Sequence, residues 1–504
     1  MRRAPRFLCK AVFDLSNAAR FATGVVLDRP AAFINGEFVT PATGATITVE
    51  DPCTQTIIGE VPNMGRKETL QAIDAAKSAF EGWKKMMPRE RAMILYSWAQ
   101  LMQQHRKSLG AIISRECGKV LAEGVGESQY AERYLEWYAG EAERVYGDII
   151  AGPRAGVTTT VVRRPLGVVG VITPWNFPSS MVTRSVGGAL AAGCTVVLKA
   201  SEYTPFSALV LAQLAAAAGV PEGVFNVITG DAEPIGDTLL DSLEVRKLAF
   251  TGSTRTGKHL YARSAATVKK LGLELGGNAP FIVFDDADLN RAVSGLIACK
   301  FRNAGQTCIS SNRVFVHESM HDAFVARLVG EIIAAVHVGN SFDVNATMGS
   351  LINGAAVDKM EALVHDAVAK GAKVELGGKR ISGPGYFFEP TVLTCVKHET
   401  MNCCQQEVFG PIVPIIKFSS ESEAVQLANA TRSGLAAYIY TQDYRKQSRV
   451  AEQLEVGMLG VNDVGLSSPS APFGGVKESG LGRDGSKYGI DAFVDIKYVL
   501  ESRV

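Results

Sequence analysis

From Gly167 onward the chain repeats one unit: a short run of β-branched and other apolar residues, a turn, then a helical stretch. The runs fall at 168–173, 195–199, 224–228 and 247–250. Strands alternating with helices in this way build a parallel sheet covered by helices, and ligands of such sheets sit beyond the carboxyl ends of the strands. A second alternating region opens near Pro280, with strands expected at 281–284, 313–316, 373–376 and 412–418. The fold class is therefore α/β with two such domains, which suits 504 residues, too many for one ordinary core. Ahead of them, residues 67–142 read as long amphipathic helices, for example 68–83 and 92–117. These are expected to supply shell, not chemistry.

Charge narrows the partners. The 52 basic and 51 acidic residues are spread without long runs, so neither nucleic acid nor an anionic surface is signalled. Even the apolar stretch 207–218 falls short of the roughly 18 residues a membrane helix needs, so no membrane partner is expected. Nine scattered cysteines, with Cys403 and Cys404 adjacent, make no disulfide framework and suit a reducing compartment. Residues 1–24 carry Arg2, Arg3, Arg6, Lys10 and Arg20 against a single acid, Asp14, with Phe7, Leu8, Val12, Phe13 and Leu15 between them. That pattern fits a mitochondrial transit peptide; otherwise a cytoplasmic chain with a disordered extension is expected.

The chemistry is concentrated in two stretches, Leu273-Glu274-Leu275-Gly276-Gly277 and Asn303-Ala304-Gly305-Gln306-Thr307-Cys308. A cysteine can form a thioester on a carbonyl substrate, and a glutamate in a partly apolar pocket can activate the water that hydrolyses it. By themselves Cys308 reads equally as a core-filling thiol, Glu274 as a strand-end acid and Asn176 as a turn residue. Two other motifs point elsewhere and fail. Gly252-Ser253-Thr254-Arg255-Thr256-Gly257-Lys258 begins like a phosphate-binding loop, but His259 stands where a Ser or Thr should hold magnesium. His317-Glu318-Ser319-Met320-His321 matches a zinc-protease pattern, yet His317 ends an expected strand, so the two histidines do not share a helix face.

Four further motifs accompany these: Thr173-Pro174-Trp175-Asn176-Phe177-Pro178, Leu198-Lys199-Ala200-Ser201-Glu202, Phe250-Thr251-Gly252-Ser253 and Glu407-Val408-Phe409-Gly410-Pro411. In this order, from about Phe33 to the C-terminus, the chain resembles the aldehyde dehydrogenase superfamily. The resemblance implies Cys308 as nucleophile, Glu274 as general base and Asn176, with the Cys308 N–H, as oxyanion hole. It places a nicotinamide dinucleotide against Thr173, Pro174, Trp175, Lys199, Ser201, Glu202, Gly252, Ser253, Glu407 and Phe409. Glu202 would accept from a ribose 2′-OH and repel a 2′-phosphate, so NAD is expected ahead of NADP. A Rossmann-type dinucleotide domain at 25–144 and 165–276, a catalytic domain at 277–480, and a β arm at 145–164 and 481–504 are implied. The arm, expected as a projecting strand pair, would make a homodimer or homotetramer.

Within that superfamily the chain most resembles the branch acting on succinate semialdehyde, through residues 179–184, Lys300-Phe301-Arg302 and Gly465-Leu466-Ser467-Ser468. The resemblance assigns Arg184, Arg302 and Ser467 to the distal carboxylate of a small aldehyde, a group that arginine grips bidentately. Many members carry a second cysteine two places after the nucleophile, whereas this chain has Ser310. The competing expectations are glutarate semialdehyde or an uncharged aldehyde as substrate, transfer to coenzyme A, and a silent dinucleotide-binding protein.

Overall fold

The computed structural model describes residues 12–24, 26, 31–40 and 44–502. Its first sheet has eight strands, five of them parallel, in the spatial order Phe225–Ile228, Thr195–Lys199, Val168–Ile172, Val245–Thr251, Lys270–Glu274. The three N-terminal members of this row are buried along nearly their whole length, which is why they read as continuous apolar runs. Of these five, the earliest in sequence lies in the middle, and its successors step outward first on one side and then on the other. Strand order thus reverses between Val168–Ile172 and Val245–Thr251, which opens a crevice above their carboxyl ends.

The second sheet has the order Lys373–Leu376, Thr391–Thr394, Ile412–Phe418, Ser311–His317, Ala279–Val283, Ala436–Tyr440, Met458–Val461. All but the Lys373–Leu376 edge run parallel. The sequence reading omitted Thr391–Thr394, Ala436–Tyr440 and Met458–Val461. Small residues such as Ala436, Ala437 and Gly460 give a weak strand signal, and tertiary burial supplies what local preference does not.

Four details differ from expectation. The stretch read as one helix at 92–117 is two, Pro88–Gln104 and Arg106–Cys117, broken at His105 (φ −103°, ψ 15°) while the apolar spacing runs on across the break. The arm is not a strand pair but a three-stranded antiparallel sheet of Asp148–Ala151, Val157–Pro165 and Val494–Ser502, because the segment 145–164 folds back on itself. The first part of 481–504 does not join it: Gly480–Leu481 pairs with Leu273–Glu274, and helix Ser486–Asp491 packs on Ser180–Ala192 and Leu121–Ala142.

The fourth concerns the N-terminus. Phe13, Leu15 and Phe21 are core residues, and Ala18–Thr23 is a helix. The Val12 and Phe13 N–H groups donate to Gln213 Oε1 (2.8 and 2.9 Å), Gln213 Nε2 returns a bond to Phe13 O (2.9 Å), and Ser108 Oγ donates to Leu15 O (2.8 Å). From Val12 on, the segment read as a removable peptide is part of the packed body; residues 1–11 lie outside the described residues. Of the apolar side chains counted toward that peptide, Phe13 and Leu15 are buried in the core.

Candidate active site

Helix Leu289–Phe301 ends in a turn, Arg302–Gly305, with three successive left-handed residues: Asn303 (φ 51°), Ala304 (φ 53°) and Gly305 (φ 76°). Such conformations cost about 1 kcal/mol or more each outside glycine, so the surroundings must hold them. Asn303 N–H donates to Glu123 Oε1 (2.9 Å) and Asn303 Nδ2 to Asn176 O (3.0 Å). Gln306 Nε2 donates to Asn303 O (3.1 Å) and Ser350 O (3.2 Å), while its Oε1 accepts from Ile352 N–H (2.9 Å). The result is a stiff loop that presents Cys308, only partly buried. A side chain at Gly277 would place its Cβ 2.3 Å from Cys308 O, so the bare backbone after Glu274 lets the two strand ends approach.

Cys308 lies where two cavities meet. One, of about 300 Å³, is lined by Tyr130, Phe177, Arg184, Arg302, Ser467 and Phe473 among others. The other, of about 290 Å³, occupies the crevice of the first sheet between Pro174-Trp175-Asn176, Thr251-Gly252-Ser253, Glu274-Leu275-Gly276, Glu407 and Phe409. Of the residues implied by sequence, Cys308, Glu274 and Asn176 are thus brought to one place.

Electrostatics within that place are dominated by burial. The Cys308 thiol is pushed up to about 12, by loss of water and then by the Glu407 and Glu274 carboxylates, against the pull of Arg184 and Arg302. Glu274 is held well above the ordinary carboxylate range, chiefly by burial and then by Asp484, with Arg184 and Arg483 opposing. Its Oε2 is buried without a hydrogen-bond partner among the described residues. Asn176 Nδ2 gives one hydrogen to Gln306 O (2.9 Å), and its Oδ1 has no partner among the described residues.

The residues expected on the dinucleotide side cluster at the carboxyl ends of the central strands. Thr173 N–H donates to Lys199 O (3.3 Å), and the Trp175 ring meets Phe409 edge-on at 5.6 Å. Lys199, almost wholly buried, pairs with Glu202 (Nζ to Oε1, 2.8 Å). Ser201 Oγ accepts from Tyr203 N–H (3.3 Å), and Ser253 caps helix Thr254–Ser264 through Thr256 N–H (3.3 Å). Glu407 Oε1 accepts from Gly277 N–H (3.0 Å), and a Cβ at Gly276 would lie 2.8 Å from Glu407 Oε2.

The two arginines are not equivalent. Arg184 is buried, paired with Asp484 (Nε to Oδ2, 2.9 Å) and stacked over the Phe473 ring at 4.3 Å. Arg302 is exposed at the cavity wall, 5.4 Å from the Phe177 ring. Neither rejected motif forms its site: Lys258 pairs with Glu478 (2.7 Å), and His317 closes strand Ser311–His317 and caps helix Glu318–Ala335.

Sequence reasoning missed four charged groups. Lys119, Glu123 and Glu127 line the larger cavity, so the helices of 67–142 contribute more than shell, and Asp484 holds Arg184. The available signal was the four-residue spacing of Glu123 and Glu127 on a helix whose same face packs inward.

Comparison with known proteins identifies the family. A succinate-semialdehyde dehydrogenase of Arabidopsis thaliana, named as mitochondrial, is 50% identical over 471 residues, which is 94% of this chain and 89% of that protein. A glutarate-semialdehyde dehydrogenase of Pseudomonas aeruginosa is 49% identical over 473 residues, 94% of this chain and 98% of that protein. The crystal structure of an NADP-dependent enzyme of E. coli superposes with a TM-score of 0.93 at 48% identity, covering 94% of this chain and 98% of that one. The sequence profile of the aldehyde dehydrogenase family matches residues 38–499, and with these relatives it establishes that the chain belongs to that family.

Proposed function

We propose that this protein oxidises a short aldehyde bearing a distal carboxylate, succinate semialdehyde first and glutarate semialdehyde second, with NAD preferred to NADP. The observation that carries the reading is the position of Cys308 at the junction of the crevice at the strand ends and a cavity walled by arginine. The crevice suits the cofactor because its floor at Gly276 must stay bare beside Glu407 and because it sits where strand order reverses. NAD(P) supplies the hydride acceptor. Cys308 adds to the carbonyl; the second hydrogen of Asn176 Nδ2 and the Cys308 N–H receive the oxyanion. Glu274, whose unpartnered Oε2 is a ready acceptor, takes a proton from the water that releases the acid. Arg302 and Ser467 hold the far carboxylate, with Arg184 adding its field from behind.

Glu202 supports NAD, since a carboxylate there opposes a 2′-phosphate. The first sheet is read as the cofactor domain and the second as the domain that carries the nucleophile. The arm is read as the subunit contact of a dimer or tetramer, supported by the exposed Ile149, Ile496 and Tyr498. The basic residues among 1–11 and the mitochondrial relative support targeting to mitochondria, with any cleavage ahead of Val12. Steady-state rates on succinate semialdehyde, glutarate semialdehyde and butanal, each with NAD and NADP, test the proposal. The expected order puts both semialdehydes above butanal and NAD above NADP; a preference for butanal removes the carboxylate reading.

A further inference from the structure

The wall of the larger cavity contains a fully buried ion pair, Lys119 Nζ to Glu127 Oε2 at 2.6 Å, each side chain 1% exposed. Apolar residues of the same shape would serve a core at least as well, so such a pair calls for a reason other than bulk stability. What the pair holds is the loop that carries Asn176. Lys119 Nζ donates to the Asn176 carbonyl (2.7 Å) and lies 4.0 Å from the centre of the Phe177 ring. Glu127 Oε1 accepts from Ser179 N–H (2.8 Å) and Ser180 N–H (3.3 Å), groups at the start of helix Ser180–Ala192 that have no partner within it. The two ends of 176–180 are therefore fastened to one ion pair. Asn303 Nδ2 binds the same Asn176 carbonyl (3.0 Å), and Asn303 N–H is held by Glu123 (2.9 Å), which ties the nucleophile turn to the same point.

We propose that Lys119 and Glu127 are positioning residues for the oxyanion contact: they fix the Asn176 peptide so that its side-chain amide meets the oxyanion formed at Cys308. The proposal rests on the role of Asn176 given above. A fixed carbonyl fixes the direction of the Cα–Cβ bond, and with Nδ2 anchored on Gln306 O, one N–H is left aimed at the space beside Cys308. Donors set in advance of the reaction need no reorganisation when charge develops, and this is where such a contact gains its strength.

Single-turnover hydride transfer in the intact enzyme, followed as NADH absorbance, is the test. Lys119→Met should slow it by roughly tenfold to a hundredfold, short of the full loss of an oxyanion donor, with the KM for NAD unchanged. Lys119→Arg, which keeps the charge and the donors, should recover most of the rate. Glu127→Gln should slow hydride transfer as well, and serves as the second variant if Lys119→Met fails to fold. Alkylation of Cys308 by iodoacetamide forms no oxyanion, so its rate should stay at the parent value in every variant. In an Asn176→Ala background Lys119→Met should cost little more, because the two act through one contact.

Equal slowing of alkylation and hydride transfer would mean a disturbed Cys308 loop and would overturn the proposal. Additive losses in the double variant would overturn it too, since Lys119 would then act apart from Asn176. If Asn176→Ala alone leaves hydride transfer intact, the fault lies in the role given to Asn176, and the positioning proposal falls with it.

Discussion

At the residue scale, the proposed mechanism divides the reaction between Cys308 and Glu274. Cys308→Ala should abolish NADH formation and covalent labelling. Glu274→Gln should still allow the thioester to form and should slow its hydrolysis, seen as a burst of NADH followed by a low steady rate. Equal loss of the burst in both variants would show that Glu274 also draws the proton from the thiol. Burial sets the pH dependence. With the thiol pushed up to about 12, its thiolate fraction grows about tenfold per pH unit below that value, so iodoacetamide labelling of the enzyme without cofactor should steepen accordingly. Glu274 is raised above the ordinary carboxylate range, so its basic form is gained as pH rises, and hydrolysis of the thioester should rise with pH through that raised value. A flat profile for hydrolysis would remove Glu274 as base. These residues were legible in the sequence through the ordered motifs that resemble the aldehyde dehydrogenase superfamily, since by themselves Cys308, Glu274 and Asn176 read equally as a core thiol, a strand-end acid and a turn residue. Lys119 and Glu127 were not: Lys119 stands in the short connection between two helices, and charges such as Glu123 and Glu127 spaced along a helix look like a solvated face until the neighbouring helices cover it.

At the scale of elements, the helix Ser180–Ala192 and the turn Arg302–Gly305 present arginines to one cavity with different duties. Arg184 sits on a helix buried on all sides and is matched by Asp484 from the C-terminal segment. Removing it leaves a partly buried carboxylate without its partner, so Arg184→Leu should lower stability by about 1–3 kcal/mol, read as a fall in melting temperature, before substrate recognition is even considered. Arg302 is exposed and forms no ion pair among the described residues, which leaves its guanidinium for a ligand. Arg302→Ala should cost about 1.5–3 kcal/mol in kcat/KM for succinate semialdehyde and far less for butanal, because only the former supplies a charge to bind. Parallel losses on both substrates would assign Arg302 to the shape of the Cys308 loop instead. A similar test applies at the end of strand Thr195–Lys199. Glu202→Ser removes the charge that opposes a 2′-phosphate and also frees Lys199 to meet one, so the NADP to NAD ratio of kcat/KM should rise by about tenfold or more. An unchanged ratio would place Glu202 away from the ribose. The sequence treated Arg184 and Arg302 as equals because their motifs say which residue type is present, whereas the partner that separates them, Asp484, is 300 positions from Arg184 in the chain.

At the scale of the whole molecule, two sheets with parallel centres and the crevice between strand ends follow from the alternation of apolar runs with helices, and that much was readable from the sequence. Where segments pack against distant ones, it was not. Residues 12–24 show why: Phe13, Leu15 and Phe21 beside Arg20 and the one acid Asp14 satisfy a targeting peptide and a docked segment alike, and only the presence of Gln213 and Ser108 opposite the backbone decides between them. Full burial of a large apolar side chain is worth about 1.5–3 kcal/mol, so Phe13, Leu15 and Phe21 together contribute on the order of 4–9 kcal/mol to holding the segment in place. That is an upper bound, since the unfolded chain already shields part of the same surface. Removal of residues 1–11 leaves these contacts in place and should leave the melting temperature and kcat near the parent values. Removal of residues 1–24 exposes the apolar floor beneath them and takes the partner from Gln213, so it should lower the melting temperature and raise binding of a hydrophobic dye. If the two truncations melt alike, the segment from Val12 is an ornament on the surface of the fold, and the boundary of any removable peptide moves back to residue 24.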